Sequence, residues 1–231
     1  EAKAVFGIYR ANSVGDDIEV YDMDKKTLAK FITLRQQKEK SDKFYNKALS
    51  DYIAPKDSNI KDYIGCFCVS AGFGSDELSS RFEKENDDYS SIMVKAICDR
   101  FAEAFAEYLH KEIRIKYWAY AKEENTLNED LIKEKYIGIR PAPGYPACPD
   151  HLEKKTIWKL MSVEDRIGVK LTESLAMWPA ASVSGYYFSN SNAKYFGIGK
   201  IDKDQMIDYA NRRGIPFKEA VKWLNPIYND V

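Results

Sequence analysis

Within the run RPAPGYPACPDH, from Arg140 to His151, an arginine, a glycine, a tyrosine, a cysteine and one of the chain's two histidines fall together among four prolines. A guanidinium can hold a carboxylate or phosphate in a bidentate grip. Gly144 allows a ligand to approach the backbone closely, and Tyr145 brings an aromatic wall with a polar tip. His151 titrates near neutrality, although the start of a helix just after it disfavours its cation. Each proline fixes its own φ, removes a donor and drives the preceding residue toward extended geometry, so Arg140, Ala142, Tyr145 and Cys148 are expected to be extended. The reading is a stiff loop whose unpaired amides and carbonyls suit the edge of a heterocycle. Packing offers a competing account of each residue: Arg140 paired with Glu134, Tyr145 in the core, and Cys148 as a small buried hydrophobe.

Other chemistry is argued down from the same residues. A cysteine hydrolase using Cys148 and His151 would need an orienting acid and oxyanion donors, and a three-residue spacing on a proline-broken loop does not supply in-line geometry. The strand, Gly72-Phe73-Gly74 and helix order invites a dinucleotide fold. The third glycine of that fingerprint would fall at position 77, where Glu77 would block close packing and repel a pyrophosphate. Four cysteines without a C-x-x-C pair, with two histidines, make a metal site a poor reading, and reduced thiols are expected. Glu103 and Glu107 lie one turn apart on a helix, an arrangement that a solvated face explains, or that aims one acid at a polar ligand.

Composition narrows the partners. With 35 basic and 36 acidic residues there is no basic footprint for nucleic acid or an anionic membrane. No apolar run approaches the length of a membrane span, and the N-terminus has no signal-peptide pattern. A cytoplasmic monomer is expected. At 231 residues and 45% hydrophobic content the chain can bury one sizeable core, so residues 1–231 are read as a single domain.

The elements that must position the loop follow from periodicity. Lys3 to Tyr9, Ile18 to Tyr21 and Thr27 to Leu34 read as strands of a meander, with a turn at Asn12 to Asp17. The charged run Arg35 to Lys43 reads as a solvated connection, and Asp62 to Ala71 as a central strand carrying Cys66 and Cys68 on one buried face. From Asp87 to about Trp118, Val94, Ile97, Phe101, Ala104, Phe105, Tyr108 and Leu109 recur at helical spacing, which predicts a long helix laid across the sheet on that stripe. Asn128 to Lys135, capped by Asn128 or Thr126, and a segment starting near Asp150 are read as short helices flanking the loop, with the Asp150 carboxylate capping Leu152 and Glu153. Leu171 to Trp178, Val183 to Ser189 and Tyr195 to Ile201 read as an antiparallel meander, with Gly185, Gly197 and Gly199 marking close approaches. Two helices, Asp202 to Arg213 and Pro216 to Leu224, are separated by a stop at Gly214.

With these residues in view, a resemblance stands out. RPAPGYPACPDH, together with TESLAMWPAASVSGYYFSNSNAKYF from Thr172 to Phe196 and DDYSSIMVKAICDRFAEAFAEYLH from Asp87 to His110, resembles the activation domain of cobalamin-dependent methionine synthase over essentially the whole chain. The resemblance implies an α+β fold: a C-shaped single domain with a twisted antiparallel sheet, a long central helix and short flanking helices. It implies a site for S-adenosylmethionine in which Arg140 holds the methionine carboxylate. Backbone around Ala142, Gly144 and Tyr145 and the pair Tyr195-Phe196 would contact the adenosyl part. Glu103 and Glu134 would line the cleft, with Tyr145 and His151 facing cobalamin.

The implied function is reductive reactivation. A neighbouring cobalamin-binding domain is methylated by S-adenosylmethionine after a flavodoxin or methionine synthase reductase supplies an electron, and no catalytic residue of this chain is required. Zinc belongs to a homocysteine module absent here. The resemblance also implies a helical segment upstream of Glu1 that carries a further acid. A competing reading makes the chain a docking module for the cobalamin domain or reductase, without a ligand of its own.

Overall fold

The computed structural model describes residues 1–41 and 45–229. Strand β1 (Lys3–Val14), β2 (Asp17–Tyr21) and β3 (Thr27–Ile32) form an antiparallel meander. β1 runs five residues past Tyr9, because Asn12 and Ser13 satisfy their polar groups without leaving the strand. The Asn12 amide donates to the carbonyls of Ala54 and Ile60 at 2.9 Å each, and the Ser13 hydroxyl donates to Ile53 at 3.0 Å. The turn therefore shrinks to Gly15 and Asp16. β4 (Asp62–Ser70) is buried along its last seven residues, and the sheet order is β3-β2-β1-β4 and then β7 (Ser182–Tyr187). A nearly continuous apolar run belongs in such an interior position.

The chain divides into two compact units. The first comprises Glu1–Gly7, Cys66–Ile137 and Ile157–Gly185, and the second Ile8–Gly65, Gly138–Thr156 and Tyr186–Val231. In the first unit α1 (Ser75–Lys84) packs on α2 (Asp88–Glu112), whose N-terminus is capped by the Asp87 carboxylate accepting from the Ser90 amide at 3.0 Å. α2 ends in a widened turn, Ile113–Tyr117, closed by a bond from the Trp118 amide to the Ile113 carbonyl. The expected stripe is met at Leu109 but not at Phe101 or Tyr108. Phe101 is 63% exposed and Tyr108 59%, while Ala102, Ala106, Leu109 and His110 are buried. Small alanines let the helix sit close to its neighbours, and that closeness, not side-chain size, decides which face turns inward.

Gly72 confirms the structural reading of the Gly-Phe-Gly turn. A Cβ there would fall 2.6 Å from Pro179, so the position serves close packing. α3 (Asn128–Ile132) is shorter than expected and begins after Leu127 without a side-chain cap; Thr126 instead donates to Glu124 at 2.6 Å.

In the second unit a short 3-10 turn, Leu49–Tyr52, follows the charged run, whose last two residues, 42 and 43, lie outside those described. Arg35 is no solvated tether. Its guanidinium holds Asp16 at 2.6 Å, Asp51 at 2.7 Å and the Asn46 carbonyl at 2.7 Å. The expected strand from Leu171 to Trp178, in the first unit, is a hairpin of β5 (Lys170–Leu171) and β6 (Met177–Trp178) around a turn in which Leu175 has φ +62. Tyr195 to Ile201 is not a strand. Gly199 takes φ +77 with open space where a Cβ would be, so it marks a turn and no close approach.

α4 (Glu153–Met161) begins in the second unit and ends in the first, where α5 (Val163–Ile167) follows it. The core of the second unit gathers Ile32, Leu34, Ile198 and Ile201 against Met206, Tyr209 and Ala210 of α6 (Lys203–Arg213), with Ala220 and Leu224 of α7 (Phe217–Leu224). Gly214, at φ 70, stops α6 as expected. Among the described residues, no helix is long and apolar enough to cross a membrane.

Candidate functional site

The proline-rich loop hangs from the end of β7. Ile139 and Phe188 exchange both backbone hydrogen bonds, at 3.1 and 3.0 Å, and the Tyr186 amide donates to the Pro141 carbonyl at 2.9 Å. Within the loop the Gly144 amide donates to Cys148 at 2.7 Å, Tyr145 to Ala142 at 3.2 Å, and Cys148 back to Tyr145 at 2.9 Å. This corrects the expectation of unpaired backbone. The loop's stiffness comes from its own turn bonds as well as from its prolines, and many of its polar groups are already used.

Gly144 is the tightest point. Its φ of +94 is open to glycine and strained for any L residue. A Cβ there would fall 2.2 Å from Cε1 of His151, so the imidazole occupies the space that a side chain would need. Burial, and then the charge of Lys154, lowers the basicity of His151 and so favours the neutral ring. Its Nδ1 is buried and has no hydrogen-bond partner among the described residues.

Two sequence-distant candidates meet at this loop. The Arg140 amide donates to the Tyr195 hydroxyl at 3.0 Å. The Tyr195-Phe196 segment is held in turn by the Ile198 amide on the Pro146 carbonyl at 2.8 Å, by Gln36 Nε2 on the Gly197 carbonyl at 2.7 Å, and by the Tyr52 hydroxyl on the Lys194 carbonyl at 3.0 Å. Phe196 also lines a hollow of about 580 Å³ with Gln36, Lys38, Lys40, Tyr45 and Lys47. Arg140 and Ala142 are half-buried, and Tyr145 is 61% exposed, which removes the reading of Tyr145 as core. Gly144, Tyr145 and Tyr195 thus form an accessible surface over a backbone that is pinned from behind.

Glu103 and Glu134 lie in the first unit, and both are exposed. Glu134 takes φ +51 after α3 and lines a hollow of about 650 Å³ with Tyr120, Glu124 and Tyr136. Behind it Arg114 is fully buried, bidentate to Glu124 at 2.6 and 2.8 Å, with its guanidinium carbon 3.8 Å from the Tyr136 ring centre. A larger hollow, about 680 Å³ along Ser13, Ser50, Asp51 and Lys56, includes none of the predicted site residues.

Cys148 is buried, and burial, followed by the charges of Glu153 and Asp150, pushes its thiol well above the usual range. A nucleophilic cysteine needs the opposite surroundings. The loop's far end carries a cluster that the sequence did not single out. Asp150 caps Leu152 at 2.7 Å as expected, and both Asp150 and Glu153 are bound by Arg213 of α6. Sixty positions separate Glu153 from Arg213, and no local pattern could have joined them.

A guanidinium, two exposed phenols, an imidazole with an unpartnered nitrogen and a backbone cradle match a ligand that carries a carboxylate and a flat heterocycle. Comparison with known proteins gives the same direction. A family model for the activation domain of vitamin B12 dependent methionine synthase matches residues 1–214. A crystal structure of the MetH reactivation domain bound to AdoHcy is 52% identical, covers 100% of this chain and 71% of that one, and superposes with a TM-score of 0.97. The chain belongs to the family of vitamin B12 dependent methionine synthase activation domains.

Proposed function

We propose that this chain binds S-adenosylmethionine and presents its methyl group to cobalt(I) cobalamin carried by a neighbouring domain, during reductive reactivation of methionine synthase. The observation that carries the reading is the hydrogen bond between Arg140 and Tyr195, which brings the two adenosyl-side segments into one surface in a relative of a domain solved with AdoHcy. AdoHcy is what remains of S-adenosylmethionine once the methyl has gone.

Bound S-adenosylmethionine supplies a sulfonium methyl: the carbon–sulfur pair stays on sulfur, and cobalt(I) furnishes the pair for the new bond. No side chain has to give or take a proton. The chain's work is therefore positioning, which converts an encounter into a near-unimolecular step. Arg140 would hold the carboxylate. The backbone from Ala142 to Tyr145, with Tyr195 and Phe196, would seat the adenosyl part, and Tyr145 and His151 would face the corrin. The ligand's ammonium calls for an acid, and Glu103 and Glu134 are proposed for it on their chemistry alone. A flavodoxin-type donor would supply the electron.

Calorimetric titration with S-adenosylmethionine tests this. Arg140→Ala should weaken binding by about 1.5–3 kcal/mol, roughly tenfold or more. Equal affinity in the variant would refute the carboxylate role, and no binding by the wild type would leave the docking reading.

A further inference from the structure

We propose that Arg213 is a positioning residue for the ligand loop: by binding Asp150 and Glu153 together it fixes the His151 ring against Gly144, and with it the segment from Arg140 to Tyr145. The inference rests on the proposed ligand reading for its consequence in binding, and on geometry alone for its consequence in the loop.

Every link lies in the second unit. Arg213 Nη2 is 2.7 Å from Asp150 and in direct contact with Glu153, and its guanidinium carbon lies 5.2 Å from the Tyr209 ring centre. The Tyr209 hydroxyl donates to the same Asp150 oxygen, while the other oxygen of Asp150 takes the Leu152 amide. Glu153 Oε1 also takes the Ile32 amide of β3 at 2.8 Å, and Oε2 is buried without a hydrogen-bond partner among the described residues. Asp150 and Glu153 flank His151, so tying both leaves the intervening backbone little freedom. The imidazole then rests in the space beside Gly144, whose amide closes the turn onto Cys148.

Two carboxylates share one guanidinium, with side chains 2%, 1% and 11% exposed. Removing two charges from water is costly, and apolar replacements of such clusters are often neutral or stabilising. The role proposed for the cluster is therefore specificity of arrangement, not stability. None of its three charged members is among the residues proposed to touch the ligand.

Two measurements on the chain test the idea. The first needs no ligand: the nuclear Overhauser contact between the His151 ring and the Gly144 α-protons, with His110, buried in the first unit, as internal control. Arg213→Gln should abolish that contact and leave the His110 signals in place, and Arg213→Lys should restore it in part. The second is calorimetry with S-adenosylmethionine, where Arg213→Gln should lose tenfold or more and Arg213→Lys less. If Arg213→Gln does not fold, Tyr209→Phe, which removes one donor to Asp150, decides by the same contact. A retained His151–Gly144 contact in these variants overturns the proposal, whatever the melting temperature does. A lost contact with no binding by the wild type supports the positioning role and refutes the ligand reading.

Discussion

Gly144→Ala probes the loop at its tightest point. Two costs are built into the geometry. An alanine at φ +94 occupies a sparsely populated region, at about 1–3 kcal/mol. The new methyl would also sit 2.2 Å from His151 Cε1, so the ring must move. Because the obstacle is the end of a side chain and not backbone, this second cost falls at the low end of overpacking, about 1 kcal/mol. The sum is roughly 2–4 kcal/mol of stability, read by urea unfolding. A double-mutant cycle with His151→Ala separates the two, since removing the ring relieves the clash and leaves the backbone strain, so the coupling should be about 1 kcal/mol. A Gly144→Ala chain within about 0.5 kcal/mol of wild type would refute the strained cradle, and zero coupling would refute the His151 contact.

Three further outcomes follow from buried groups. In native chain at pH 8, a thiol reagent should label Cys98 and spare Cys66, Cys68 and Cys148, which react together only on unfolding, because they are buried and Cys98 is half-buried. Arg114→Met should destabilise the chain by about 3–5 kcal/mol in thermal or urea melts, because it strands the Glu124 carboxylate it pairs with. The third concerns Glu153, whose carboxyl is pushed up to about 7 by burial, against the pull of Arg213 and with Asp150 adding to the rise. A carboxyl more basic folded than unfolded favours the fold while protonated in both states. That contribution is complete below about pH 4.5 and is lost as pH rises through about 7. Glu153→Gln should flatten the fall in stability between those values, and an unchanged slope would remove Glu153 as its cause.

What the sequence disclosed divides by range. Features set within a few residues were legible: the Asp150 cap, the Gly214 stop, the buried run of β4, and the loop whose prolines announce it. The face of α2 was not. Periodicity weights large apolar side chains, so it selected Ile97, Phe101 and Tyr108, while the helix turns Ala102 and Ala106 inward because small residues permit close approach. Tyr195 to Ile201 misled for a related reason. Its aromatic and β-branched composition suits a strand, yet its backbone bonds are scattered, to Pro146, to the Gln36 side chain, and from Ile201 to Ile227 and Asn229.

The candidate site shows the same division, with a consequence for mechanism. Arg140, Gly144, Tyr145 and His151 could be named from one run of twelve residues, because proline and glycine chemistry is local. The groups that hold them are not local: Tyr195 reaches Arg140 across 55 positions, Arg213 reaches Glu153 across 60, and Gln36 reaches Gly197 across 161. The proposed reaction, which asks its protein for alignment and for no proton transfer, would depend on those distant supports as much as on the residues proposed to touch the ligand. Under the proposed function, substitutions at Arg213 or Gln36 should therefore resemble loss of ligand grip although neither side chain is placed against the ligand.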